Sequence, residues 1–267
     1  MLRQRVITAL LLGLPILGIL LFAPPVTTIV VLAIVMLLGA WEWAGFLRGA
    51  RIGMRITYVV LIGLLIGFAL FSQEAFDTRM MLLLAVLWWV IAAVRIVLAP
   101  ERELRAFVYA GGVLVLLPMW VALITLTLHH PQGGQLILCL LLIVTSTDIG
   151  AYFVGRAFGR HKLAPRVSPG KTWEGVAGGL LSSILIAALA AYWFRFPLLA
   201  FCALSLVTAM FSIVGDLTES LFKRHAGLKD SSNILPGHGG ILDRIDSITA
   251  AAPVFVYGLM TLQLVTL

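Results

Sequence analysis

Between Ser220 and Ser247 the chain reads Ser-Leu-Phe-Lys-Arg-His-Ala-Gly-Leu-Lys-Asp-Ser-Ser-Asn-Ile-Leu-Pro-Gly-His-Gly-Gly-Ile-Leu-Asp-Arg-Ile-Asp-Ser, a polar stretch between two long apolar runs. Asp243 and Asp246, three apart where a helix should begin, can point the same way and share a divalent ion. Mg²⁺ suits such a pair, because it takes carboxylates together with phosphate oxygens and keeps some of its waters. An aspartate at a helix start can equally be a cap that the dipole favours. Gly237, Gly239 and Gly240 let the backbone come close to a ligand and offer N–H groups to phosphate oxygens. Lys223, Arg224, Lys229 and Arg244 can add charge-assisted bonds beside Asp230. His238, set among the glycines, is a phosphate contact or a structural hydrogen-bonder.

Upstream, Asp216, Glu219, Ser220 and Lys223 share one face of a helix that Gly227 should stop. Carboxylates in the last turns oppose the macrodipole, so a basic residue or a bound cation must compensate. Asp216 follows the apolar run Phe211–Gly215 and sits near the hydrocarbon boundary. A carboxylate at that depth costs up to about 2.5–3.5 kcal/mol on insertion scales, which makes it a functional candidate. If this helix packs beside the one opened by Asp243, Asp216 faces Asp243 and Asp246. Three close carboxylates repel one another unless a cation joins them.

Two further stretches carry chemistry. Gly170-Lys-Thr looks like the end of a nucleotide-binding loop, but Pro165 stands where that loop needs glycine, and no strand is expected before it. Ser168-Pro169 instead suits a helix start, whose free N–H groups attract anions, with Lys171 adding charge and Glu174 close by. A snorkelling interfacial lysine is the plainer alternative. Thr145-Ser-Thr-Asp148 interrupts an apolar span, and Tyr152 lies one turn beyond. Serine and threonine can be helix–helix glue, whereas an intramembrane acid should face a cavity or a partner.

The elements that position these residues follow from composition. Of the 267 residues, 61% are hydrophobic and only 12% charged, and the mean hydropathy is +1.07. Lipid must be the solvent for so apolar a chain. About nine runs are long enough to span a bilayer: 6–23, 26–47, 56–72, 80–98, 107–128, 135–157, 174–194, 198–221 and 246–267. With the N-terminus in the cytoplasm and alternating sides, only Arg79 and Arg195 of the 19 Lys and Arg fall outside, as the positive-inside rule demands. The net charge of +7 therefore describes one face and does not point to nucleic acid. Arg3 and Arg5 precede a first run too long for a cleaved leader, read here as an anchor. Cys139 and Cys202 make no metal-ligand spacing. The expected fold is an all-α polytopic bundle with the C-terminus in the periplasm. Residues 1–145 form a scaffold with interfacial Trp41, Trp43, Trp88 and Trp89. Residues 146–267 form the catalytic region of the same integrated unit.

Taken together, Ser220-Leu-Phe-Lys-Arg, Lys229-Asp230 and His238-Gly-Gly-x-x-Asp-Arg-x-Asp246 resemble the signature of phosphatidate cytidylyltransferases. Thr147-Asp148-Ile-Gly-Ala-Tyr152 and Ser168-Pro-x-Lys-Thr-Trp-Glu-Gly175 agree with it, although Gly170 stands where many members have lysine. The resemblance implies an inner-membrane enzyme that joins CTP and phosphatidic acid into CDP-diacylglycerol and diphosphate. It further implies a homodimer, with Mg²⁺ and K⁺ in a polar funnel open to the cytoplasm. Asp216, Asp243 and Asp246 become the cation ligands. Asp148, Lys171, Glu174, Glu219, Asp230 and His238 become candidate catalytic or supporting residues. Ser168, Lys171, Ser220, Lys223, Arg224, Lys229, Gly239, Gly240 and Arg244 become candidate contacts to the phosphates of CTP.

Two neighbouring chemistries share parts of this pattern. A CTP-dependent lipid-alcohol kinase would release CDP instead of diphosphate. A CDP-alcohol phosphotransferase expects Asp-x-x-Asp-Gly-x-x-Ala-Arg, which Asp243–Ala251 does not supply. An ion or proton transporter could use Asp148 and Asp216, but it leaves the basic loops and the glycines without a role.

Overall fold

A computed structural model describes residues 13–47, 51–72, 77–98, 105–235 and 239–266. Arg3, Arg5, Arg48, Arg102 and His238 lie outside the described residues. In chain order the helices are α1 (Gly13–Phe22), α2 (Pro25–Trp43), α3 (Ile52–Phe71), α4 (Thr78–Leu98), α5 (Arg105–His129), α6 (Gly133–Phe158), α7 (Trp173–Phe194), α8 (Leu198–Ala226) and α9 (Leu242–Thr261). A two-stranded hairpin, β1 (Lys162–Ala164) and β2 (Ser168–Thr172), separates α6 from α7. Among the described residues seven helices, α2 to α8, are long and apolar enough to cross a membrane, the architecture of a multi-pass membrane protein.

The ninth expected span differs in kind from these seven. Helix α9 packs against α8, α5, α4, α6 and α2, and every residue from Thr249 to Val256 is buried. Protein rather than lipid surrounds it, so its polar first turns do not face hydrocarbon. It begins at Leu242, four residues before the expected boundary.

One end of the bundle gathers the polar segments. Trp43, at the end of α2, donates from Nε1 to the Val108 carbonyl of α5 at 2.9 Å. Its ring meets Phe222 of α8 edge-on, with centroids 5.2 Å apart. Phe107 of α5 stacks on Trp88 of α4 at 4.3 Å, and the Arg95 guanidinium lies 4.7 Å from the same Phe107 ring. The ends of α2, α4 and α8 and the start of α5 are thereby fastened together by aromatic contacts. Trp43, Trp88 and Trp89 were expected at the membrane interface; instead they are buried in the bundle.

The hairpin corrects a second expectation. Ser168-Pro169 does not open a helix but lies in β2, antiparallel to β1. Helix α7 starts instead at Trp173, where the Thr172 hydroxyl accepts from the Gly175 N–H at 3.1 Å, as an N-cap does. Val167, at the turn, is 2% exposed and packs with Ile96 of α4 and Leu217 and Leu221 of α8. Burying such a side chain stabilises by about 1.5–3 kcal/mol. That contact seats the hairpin on the bundle and fixes where Lys171 points.

Candidate active site

Lys171, in β2, reaches Asp216 of α8, its Nζ 2.6 Å from Oδ2. The pair borders a cavity of about 460 Å³ that Asp148, Arg156, Ser168 and Gly170 also line. Ala151, Tyr152, Val176 and Ile213 supply apolar lining. Asp148 is within electrostatic reach of Asp216, Asp246 and Lys171. Tyr152 accepts from Arg156 Nη1 at 3.1 Å. The cavity therefore offers cationic and anionic groups next to an apolar wall.

Helix α6 brings Asp148 here because α6 and α7 pack closely. A Cβ at Gly150 would meet the Gly178 carbonyl at 2.7 Å, so a larger residue would push the two helices apart. On the other side, a Cβ at Gly215 would lie 2.5 Å from the Asp246 carbonyl. That close approach sets α8 against α9 and brings Asp216 and Glu219 near Asp246.

Deeper in, Lys223 joins two carboxylates. Its Nζ lies 2.6 Å from Oδ1 of Asp243 and 3.2 Å from Oε2 of Glu219. The second oxygen of Asp243 accepts from the Ser231 N–H and Oγ, each at 2.9 Å, and from the Gly240 N–H at 2.7 Å. Asp243 was expected as a cation ligand; here both its oxygens are engaged by the chain. Asp246 accepts from the Ser247 N–H at 2.7 Å and lies against Glu219. Glu219 is 4% exposed, and its Oε1 is buried with no hydrogen-bond partner.

The other expected residues divide. Ser168 and Lys171 line the cavity, and Ser220 donates to Asp216 Oδ1 at 3.4 Å. Gly239 takes φ of 81° beside Asp230, a conformation glycine adopts at little cost. Lys229, Asp230, Arg224 and Arg244 are exposed around this end. Glu174 is not part of the cavity lining. It accepts from the Arg160 and His161 N–H groups at 3.1 and 3.2 Å, and its Oε1 lies 2.6 Å from His161 Nδ1, which pins the turn after α6 to the start of α7.

Sequence reasoning missed Glu42. It sits near the end of α2, only 1% exposed. Its oxygens accept from Ser232 Oγ at 2.5 Å, Ile241 N–H at 3.0 Å and Leu242 N–H at 2.7 Å, and Ser231 Oγ, whose one proton lies between Glu42 and Asp243, is 3.1 Å away. The available signal was a lone acid in a span otherwise free of charge, which membrane energetics mark for a partner.

Among the described residues, no three His, Cys, Asp or Glu stand close enough to form a ready-made metal site. The donor set nonetheless fits a hard cation that brings its own waters and phosphates. Asp148, Asp216, Asp246 and Glu219 offer only oxygen donors, the kind of ligand such an ion takes.

Residues 3–262 match the cytidylyltransferase family. The chain is 45% identical to the phosphatidate cytidylyltransferase of Pseudomonas aeruginosa over 268 residues, covering 96% of each protein. It is 38% identical to that of Haemophilus influenzae over 284 residues, covering 96% of this chain and 98% of the relative. It is 47% identical to that of Staphylococcus saprophyticus over 124 residues, 46% of this chain and 48% of the relative. A match spanning so much of the bundle leaves one conclusion: the chain belongs to the cytidylyltransferase family.

Proposed function

We propose that the protein transfers the cytidylyl group of CTP to phosphatidic acid, forming CDP-diacylglycerol and releasing diphosphate. The observation that carries this reading is the cavity at Lys171 and Asp216, polar on one side and apolar on the other. A charged nucleotide and a lipid phosphate can meet there, and full-length relatives carry the corresponding name.

The lipid phosphomonoester oxygen attacks the α-phosphorus of CTP in line, and the bond from that phosphorus to the diphosphate oxygen breaks. At neutral pH the attacking group is largely ionised already, since its second pKa is about 6. A strong general base is therefore unnecessary, and the barrier is repulsion between two polyanions. Lys171 is placed to bind phosphate oxygens in exchange for Asp216, with Ser168 and the Gly170 backbone beside it. Lys223 is held by Asp243 and Glu219, so its charge is spent on orienting those two carboxylates. Orientation and charge neutralisation by such groups supply most of the catalysis in phosphoryl-type transfers.

Asp216 and Asp246 are the residues that would hold Mg²⁺, with Asp148 and Glu219 in support and Asp243 anchoring the loop. When bound, the ion would offset phosphate charge and fix the reactants' orientation. K⁺ is the second cation in this reading, the site faces the cytoplasm of an inner membrane, and the working form is a homodimer.

The test uses purified protein, phosphatidic acid and CTP labelled separately at the α- and γ-phosphates. Label from the α position should enter the lipid, and γ label should leave as diphosphate. Lipid carrying γ label would replace this reading with a lipid kinase. Exchanging K⁺ for Na⁺ and measuring the mass of the detergent-solubilised protein test the second cation and the dimer.

A further inference from the structure

We infer that Glu42 is a positioning residue for this transfer: from α2, it anchors Ser231, Ser232 and the start of α9, the helix that carries Asp243 and Asp246. The inference rests on the reaction proposed above. Helix α9 has no side-chain cap from its own N-cap residue, Ile241. Two of its first N–H groups, those of Ile241 and Leu242, end instead on the Glu42 carboxylate. An acid some two hundred positions earlier in the chain does the work usually done by a neighbouring Ser or Asp.

The same carboxylate accepts from Ser232 Oγ and shares the single Ser231 hydroxyl proton with Asp243, so loop and helix converge on one buried side chain. Ser231 then carries the link onward. Its Oγ lies 3.1 Å from Glu42 Oε2 and 2.9 Å from Asp243 Oδ2, and its N–H also donates to Asp243. Asp243 in turn fixes Lys223. Gly240 closes the arrangement, because a Cβ there would approach Glu42 Oε1 to 2.6 Å. A buried carboxylate is costly unless hydrogen-bonded, and a hydrogen-bond array this complete specifies one loop conformation. Glu42 touches neither the cavity at Lys171 nor any reacting atom; it acts through Ser231 and Asp243.

The experiment compares the full chain with Glu42→Gln in detergent, measuring α-labelled transfer from CTP and hydrogen exchange at the Ser231, Ile241 and Leu242 amides. The amide of glutamine turns an N–H₂ towards groups that already donate. Exchange at those three amides should quicken while the α5 and α8 cores stay protected. Turnover should fall on the order of ten- to a hundredfold, as when a supporting hydrogen bond is lost, and the loss should persist at low temperature, where the variant is fully folded. Wild-type exchange and turnover in the variant would overturn the inference. Recovery of turnover on cooling would also overturn it, in favour of a purely structural role. If Glu42→Gln does not fold, Ser232→Ala decides, with the same directions expected and wild-type values again overturning it. Failure of the unaltered protein to label the lipid would overturn the reaction instead, leaving the anchoring role to the exchange readout.

Discussion

Lys171 Nζ lies 2.6 Å from Asp216 Oδ2, an ion pair joining the β1–β2 hairpin to α8. Both side chains are about a quarter exposed, at 25% and 28%, so an incoming phosphate can compete for the lysine. In a pair this open to solvent the lysine's worth lies in binding substrate more than in stability.

Replacing that lysine should therefore hurt activity far more than folding. Lys171→Ala is expected to lower kcat/KM on the order of a hundredfold, the usual loss on removing one electrostatic contact to a transition state, with little change in melting temperature. Arg79→Ala, at the far end of α4, should leave turnover near wild type. Equal losses in the two variants, read from initial rates, would contradict the placement of the site.

Metal dependence should follow the carboxylates. Chelating divalent cations should stop transfer, and Mg²⁺ should restore it. Asp246→Asn should abolish turnover while the protein still inserts, because it removes an anionic oxygen beside Asp216 and Glu219. Undiminished transfer in chelated, metal-free buffer would remove the cation from the reaction.

The Lys223–Asp243 pair should matter to stability as well. Both side chains are largely buried, at 13% and 7% exposed, and without the Asp243 charge the lysine keeps only Glu219, at 3.2 Å, while the donors from Ser231 and Gly240 lose their anionic acceptor. Asp243→Asn should destabilise by about 3–5 kcal/mol and lower turnover with it. The double variant Lys223→Met with Asp243→Asn should be no more stable than Asp243→Asn, because it leaves buried Glu219 without its lysine, and it should recover none of the activity. Thermal unfolding in detergent, alongside rate measurements, separates the two effects.

Helix spacing gives a steric prediction. Gly215→Val should force α8 from α9, since even a Cβ there would stand 2.5 Å from the Asp246 carbonyl. Turnover should be lost and the melting temperature should fall. A valine variant with normal kcat would mean that the approach of Asp216 to Asp246 is not needed.

Much of the helical framework was legible because lipid imposes a simple rule: apolar runs of sufficient length become helices. Expected spans such as 80–98 and 174–194 coincide closely with α4 and α7. The hairpin was not legible, because Ser168-Pro-Gly-Lys-Thr has no strand pattern of its own and is held by the burial of Val167. Nor was the burial of Trp43, Trp88 and Trp89, since an amphipathic indole suits an interface and a core equally well, although the midpoint place of Trp88 and Trp89 in α4 favoured the core.

The sequence by itself determined the solvent of this protein, the helical framework and the polar segments in which chemistry is possible, because those follow from local composition and spacing. Tertiary structure decided which charges meet. Lys171 faces Asp216, Lys223 faces Asp243 and Glu219, and Glu42 crosses the bundle to cap α9. Such pairings depend on how closely helices distant in the chain can approach. That is a property of packed small residues and buried hydrogen bonds, which no local pattern records.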